Sequence, residues 1–141
     1  MAAFDYRFPL DRLVHRFKFA GDLGVGDYLG QALAEGVAGR PRPDLVVPVP
    51  ASRARLRERG FNPAAVLARR VALERGLPWH PGVLRKIRHT PPQTGLDRAG
   101  RARNLRGAFR CEAVAGLRIA IVDDVTTTGA TLEALARALR E

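Results

Sequence analysis

The chain carries a single cysteine, Cys111, in 141 residues, and its aromatic residues make up only 6%. One thiol can neither close an internal disulfide nor build a cysteine cage for a metal, so packing has to hold the fold and any metal has to be bound by oxygen. The simplest role for Cys111 is that of a small buried hydrophobe. No apolar run approaches the roughly 18 residues that cross a bilayer. The first residues show no basic stretch leading into an apolar one, so neither a membrane span nor a signal peptide is expected and the chain reads as cytoplasmic. Its three histidines stand apart without ligand spacing. His15 and His80 are expected to be structural or solvent-exposed, and His89 falls in a loop where it can meet a bound anion.

Acidic residues are scarce as well, with 14 Asp plus Glu against 24 Lys plus Arg and a net charge of +10. Nearly all the basic residues are arginine, whose planar fork meets two phosphate oxygens at once. A polyanion is therefore the expected class of partner, either a small molecule bearing pyrophosphate or a nucleic acid backbone. A general compositional preference for arginine would give the same excess, so charge alone decides nothing. A 46% hydrophobic share is enough for one ordinary core, and residues 1–141 are expected to form one domain.

Leu10, Leu13, Val14 and Phe17 recur at helical spacing after Pro9 and predict a short helix with one buried face. A second helix is expected over 25–37, with Leu29, Leu33 and Val37 inward. Gly24, Gly26 and Gly30 are no dinucleotide fingerprint, because no strand precedes them, and they are read as structural. The run LVVPV at 45–49 has no polar alternation, which marks a strand covered on both faces as in a parallel sheet. Asn62 and Pro63 then start a helix as N-cap and first helical residue. Ala64, Leu67, Ala68 and Val71 give it a face, and Gly76 stops it. Trp79, set between prolines, is expected to be a packing anchor. Residues 83–87 and 109–111 predict short strands, 117–122 a second buried strand, and Leu132, Leu135, Ala136 and Leu139 a closing amphipathic helix. The segment between, rich in arginine, proline and glycine from Arg88 to Arg106, is a loop of a length that is usually functional or disordered. The alternation predicts an α/β fold, an open and mostly parallel sheet flanked by helices, with ligands beyond the carboxyl ends of its strands.

The run IAIVDDVTTTGAT at 119–131 carries the strongest chemical signal. A buried strand delivers two adjacent carboxylates, Asp123 and Asp124, to its carboxyl edge. A loop of hydroxyls and glycine then enters a helix, so that backbone N–H groups, threonine hydroxyls and the positive end of the helix dipole can converge on one phosphate. Gly129 supplies a positive φ or a close backbone approach. Two carboxylates side by side need counterions or donors to stay ionised, and ribose hydroxyls with a partly hydrated Mg²⁺ provide both.

This run resembles the motif of type I phosphoribosyltransferases that binds 5-phosphoribosyl 1-pyrophosphate (PRPP). The resemblance implies that Asp123 and Asp124 contact the ribose hydroxyls as the catalytic carboxylates. It also implies that Thr126, Thr127, Thr128, Gly129, Ala130 and Thr131 wrap the 5′-phosphate, and that Mg²⁺ arrives with the substrate near the two aspartates without being held by protein alone. The family usually has an aliphatic residue where Thr126 stands. Threonine is close to valine in size, so altered packing and a retained phosphate site are expected.

A second block, VPVPASRARLRERGFN at 47–62, places Arg53, Arg55, Arg57 and Arg59 at alternate positions. In an extended conformation they would share one face and reinforce a single anion site; a solvated surface stretch and a docking site for a nucleic acid backbone are the alternatives. With RHTPPQTG at 88–95, RARNL at 101–105 and GAF at 107–109, this block is similar to the ComF family of competence proteins. The likeness runs from about Leu13 through nearly the whole chain. It implies a pyrophosphate site at Ser52, Arg53, Arg55 and Arg59, and a flexible loop over the site with Arg88, His89, Thr90, Gln93, Arg101 and Asn104. ComF proteins often carry an N-terminal cysteine zinc ribbon, which these residues lack. They usually have glutamine where Pro63 stands, and they continue into a further strand beyond the position of Glu141.

Three functions stay open at this stage. One is transfer of phosphoribosyl from PRPP to an unidentified acceptor with release of pyrophosphate, largely by electrostatic stabilisation. The second is recognition of PRPP or a related sugar phosphate without turnover. The third is a competence or DNA-uptake factor that uses the fold for contacts to nucleotide, single-stranded DNA or competence-machinery proteins. DNA binding would call for aromatics interleaved with arginines, and only Phe61 lies near the arginine block.

Overall fold

A computed structural model describes residues 2, 4–88, 100, 105, 107–112 and 114–140. The expectations placed on His89, Thr90, Gln93, Arg101 and Asn104 lie outside the described residues. Helix α1 (Leu10–Ala20) closes on Gly21 at φ 66°, whose N–H donates to the Arg16 carbonyl. Helix α2 (Leu23–Gly36) begins two residues before the expected start. The reason is Asp22, whose carboxylate accepts from the Val25 N–H and so caps the first turn.

The expected glycine roles take physical form here. A Cβ on Gly26 would stand 2.3 Å from the ring of Phe17, and one on Gly30 would stand 2.6 Å from Cβ of Arg70 on the fourth helix. The two glycines let α2 approach its neighbours closely. Gly26→Ala is expected to cost about 1–3 kcal/mol by overpacking against a ring that has nowhere to move. Gly24→Ala, where the added methyl would meet only Asp22 at 3.4 Å, should be neutral or slightly stabilising. Denaturant unfolding of the two variants checks the contrast.

Strand β1 (Leu45–Pro48) is followed by α3 (Arg53–Arg59) and α4 (Pro63–Arg75). Asn62 caps α4 through the Ala64 N–H and also donates from Nδ2 to the Val49 carbonyl at 2.9 Å, tying the helix start to the end of β1. Gly76 closes α4 at φ 57°. Strands β2 (Leu84–Lys86), β3 (Phe109–Cys111) and β4 (Ile119–Val122) and helix α5 (Ala130–Ala138) complete the described elements.

β1 and β4 pair in parallel, with Leu45 opposite Ile119 and Pro48 opposite Val122. Successive side chains point to opposite faces. Val46 and Val122 therefore enter a core with Val14, Phe17, Leu29, Leu67, Ala68 and Ala72 from α1, α2 and α4. Val47, with Ile119 and Ile121, enters a second core with Val83, Leu84 and Leu135. Both faces of the parallel pair are covered, which is why β1 and β4 read as unbroken apolar runs. β2 and β3 do not extend this pair; they join each other antiparallel as a separate small sheet under α5. On the far side of β1, the Val46 N–H donates to the Pro78 carbonyl at 2.9 Å and the His80 N–H to the Val46 carbonyl at 3.1 Å. This bridge seats Trp79 against the first core as the expected packing anchor. Cys111 is half-buried beside the second core, and burial pushes its thiol pKa up. The result is an open α/β arrangement in keeping with a phosphoribosyltransferase-like fold, with a short sheet. Among the described residues no helix is long and apolar enough to cross a membrane.

Candidate functional site

β4 ends at Val122, so Asp123 and Asp124 stand beyond its carboxyl edge as the sequence pattern requires. The Asp124 N–H donates to Oδ1 of Asp123 at 2.9 Å, and the Val125 N–H donates to Oδ1 of Asp124 at 2.7 Å. Thr126, Thr127 and Thr128 are exposed, and Gly129 follows at φ 74° as N-cap of α5. A Cβ at Gly129 would meet no protein atom, so the positive φ, not a crowded neighbour, is what calls for glycine there. Gly129 as N-cap brings no side-chain bond to α5, and the first N–H groups and positive dipole end of the helix adjoin the loop of threonines. Ala130 is buried and Thr131 half-buried in the first turn.

Burial, with the neighbouring charge of Asp124 adding to it, lifts the Asp123 carboxyl from an ordinary 3.8 to about 7, while the nearby Lys18 pulls the other way. A folded-state pKa above the unfolded value means that the native protein binds this proton more tightly. The stability it confers is complete below about pH 4 and is lost as pH rises through 7. Asp123→Asn removes the dependence. The variant's melting temperature, relative to wild type, is expected to climb steadily from pH 5 to pH 8; a constant difference across that range would contradict the assignment.

Lys18, which the sequence pattern did not single out, reaches from α1 to Asp124 with Nζ 2.8 Å from Oδ2, each side chain only 17% exposed. The chain has two lysines, Lys18 and Lys86. Lys86 on β2 has its ammonium pKa lowered by burial and by the nearby charges of Arg55 and Arg88. Arg55 and Arg88 thus lie near enough to Lys86 for their charges to act on it. Rarity of lysine among so many arginines was the one signal in the sequence that pointed at either residue.

The arginine block is not extended. Residues 53–59 form α3, capped by Ser52, whose hydroxyl accepts from the Arg55 N–H, and closed by Gly60 at φ 77°. On a helix, alternate positions diverge, and neighbours lie three or four apart. Arg53 and Arg57 share one exposed side, where Arg57 Nε donates to the Arg53 carbonyl at 3.4 Å. Arg55 lies within electrostatic reach of Lys86. Arg59 turns in over the ring of Phe19, 4.7 Å from its centroid, and its Nε is buried without a hydrogen-bond partner among the described residues. The expected single extended face of four arginines is therefore corrected: the helix sets Arg53 with Arg57 and Arg55 with Arg59, and Ser52 is its cap.

A cavity of about 380 Å³ follows β4 from Arg118 to Asp123 and Thr126, walled by Leu33, Val37 and Val71. Consecutive residues of one strand line it, as at a strand edge, and β4 pairs on one side only among the described residues.

Comparison with known proteins places this architecture. The chain is 38% identical over 142 residues to the DNA utilization protein YhgH of Salmonella typhi, covering 96% of this chain and 63% of that protein. It is 32% identical over 143 residues to competence protein F of Haemophilus influenzae, covering 94% and 62%. The chain is similar to competence and DNA utilization proteins, in line with its resemblance to the ComF family. A more distant relative, competence protein ComFC of Bacillus subtilis, is 29% identical over 149 residues, covering 99% of this chain and 57% of that protein. The chain thus spans under two thirds of the length of these relatives. No family model matches it, and no solved structure matches it.

Proposed function

We propose that this chain binds PRPP and transfers its phosphoribosyl group to an acceptor, releasing pyrophosphate. The observation that carries the reading is the sequence of groups after β4: two adjacent carboxylates, an exposed threonine loop, Gly129 at positive φ and the N-terminus of α5. The carboxylates accept hydrogen bonds from the ribose 2′- and 3′-hydroxyls, and the loop and helix N–H groups receive the 5′-phosphate. Displacement at C1 gathers positive charge on the sugar and negative charge on the departing pyrophosphate. Asp123 and Asp124 lie where the first develops. Arg55, Lys86, Arg88 and the stacked Arg59 supply charge of the sign the second requires. Among the described residues no group of three or more His, Cys, Asp or Glu gathers for a metal. Magnesium at this place would take its oxygen ligands largely from pyrophosphate and water and would spread the leaving group's charge.

Release of pyrophosphate from PRPP, measured against a panel of nitrogenous bases and amines, tests the transfer. An acceptor-dependent release above the rate of hydrolysis supports it; PRPP binding with no release from any acceptor would leave a PRPP-recognition module in its place.

A second reading follows from the relatives' names and from one surface feature. Phe4, Tyr6, Phe8 and Phe19 are 45%, 57%, 77% and 59% exposed, on the segment that also carries the exposed Arg7, Arg12 and Arg16. This is the interleaving of rings and cations that the arginine block itself lacks. It suits the chain to a non-catalytic role in DNA uptake, through single-stranded DNA or competence-machinery proteins. Binding of an oligothymidylate that weakens steeply with salt and falls several-fold in Phe8→Ala is expected on that reading.

A further inference from the structure

Three consecutive side chains at the end of α1 have three destinations. Phe17 is fully buried in the core, with its ring centroid 5.5 Å from that of Phe61. Phe19 lies beneath the guanidinium of Arg59. Lys18 reaches Asp124. One helical turn, far from 123–131 in sequence, thus touches both the carboxylate pair and an arginine of the cationic side.

Phe17 already anchors α1, and an ion pair drawn out of water gains about what its desolvation costs. The pair therefore adds little as a fastening for the helix. Its larger consequence falls on the carboxylates. Two adjacent, part-buried carboxylates repel each other: Asp123 is pushed up to about 7 even with Lys18 beside the pair, and without that counterion the pair would keep a proton to still higher pH, which turns an acceptor into a donor and spoils the pair for two ribose hydroxyls. We propose that Lys18 is a positioning residue of the sugar-phosphate site, neutralising Asp124 and fixing it in the orientation in which Asp123 and Asp124 together accept from the ribose hydroxyls. The inference rests on the PRPP reading and deepens it.

The test is calorimetric titration of PRPP with Mg²⁺ into wild type, Lys18→Met, Lys18→Arg, Asp124→Asn and the double variant Lys18→Met/Asp124→Asn. Inorganic phosphate serves as a second probe, and thermal denaturation reports folding. Lys18→Met is expected to weaken PRPP about tenfold, the low end of what one hydrogen bond to a charged group contributes, while inorganic phosphate changes less than twofold. Lys18→Arg should recover most of the loss. In the Asp124→Asn background, removal of Lys18 should add less than twofold, because its action passes through Asp124. If Lys18→Met fails to fold, Lys18→Gln gives the same comparison. A Lys18→Met that binds PRPP within twofold of wild type, or an equal loss in both backgrounds, would overturn the inference while leaving the PRPP reading intact. A folded wild type that takes up no PRPP overturns both.

Discussion

Phe17→Ala is expected to lower the stability of the folded chain by about 3–5 kcal/mol, the range for deleting a buried phenyl ring. Phe17 has no exposed surface and, with Val14, joins α1 to Leu29, Val46 and Val122 in the core beneath the parallel strands. Its ring also occupies the space left open by Gly26. A cavity there cannot collapse without moving α2, so the cost should sit toward the upper end. Because Lys18 and Phe19 ride on the same turn, the variant should lose PRPP affinity even under conditions where it stays folded. Denaturant unfolding measures the first effect, and titration at low temperature the second. A loss of stability under 1 kcal/mol would mean that α1 is not fastened as described.

The largest expected functional effect is that of Asp123→Asn/Asp124→Asn, which should weaken PRPP at least about 100-fold, since each hydrogen bond to a charged acceptor contributes about 1.5–3 kcal/mol. Asparagine matches aspartate in shape, and Asp123 is itself destabilised by burial and by its neighbour. Above pH 7 the relief at Asp123 offsets the cost of leaving the Lys18 ammonium without its partner, so the variant should stay folded. It should keep its weak affinity for inorganic phosphate, because the threonine loop and α5 are untouched. Loss of PRPP and phosphate together would place the defect in the fold, not in recognition of the ribose.

Much of this arrangement was legible in the residues. Asn62-Pro63 and Gly76 marked the ends of α4, apolar runs without alternation marked β1 and β4, and the order of carboxylates, hydroxyls and glycine marked the end of β4. Each of these is a local signal, written within one turn or one strand. The helix α3 was misread because its residues are charged, so that apolar periodicity is silent and alternate arginines imitate a strand. Its two ends were nonetheless written, in Ser52 as N-cap and Gly60 as the left-handed stop. The antiparallel union of β2 and β3 depends on where two short segments meet in space, and nothing within either one sets the direction of pairing. Lys18 lies too far along the chain from Asp124 for any spacing rule, and only the packing of Phe17 brings the two together.

The most direct test of the account is calorimetric titration of PRPP with Mg²⁺ into the wild-type chain, with ribose 5-phosphate and an oligothymidylate as comparison ligands. The account expects saturable one-to-one binding of PRPP, weaker binding of ribose 5-phosphate at the same site, and no competition between PRPP and the oligonucleotide. A folded chain that binds the oligonucleotide and neither sugar phosphate would contradict it.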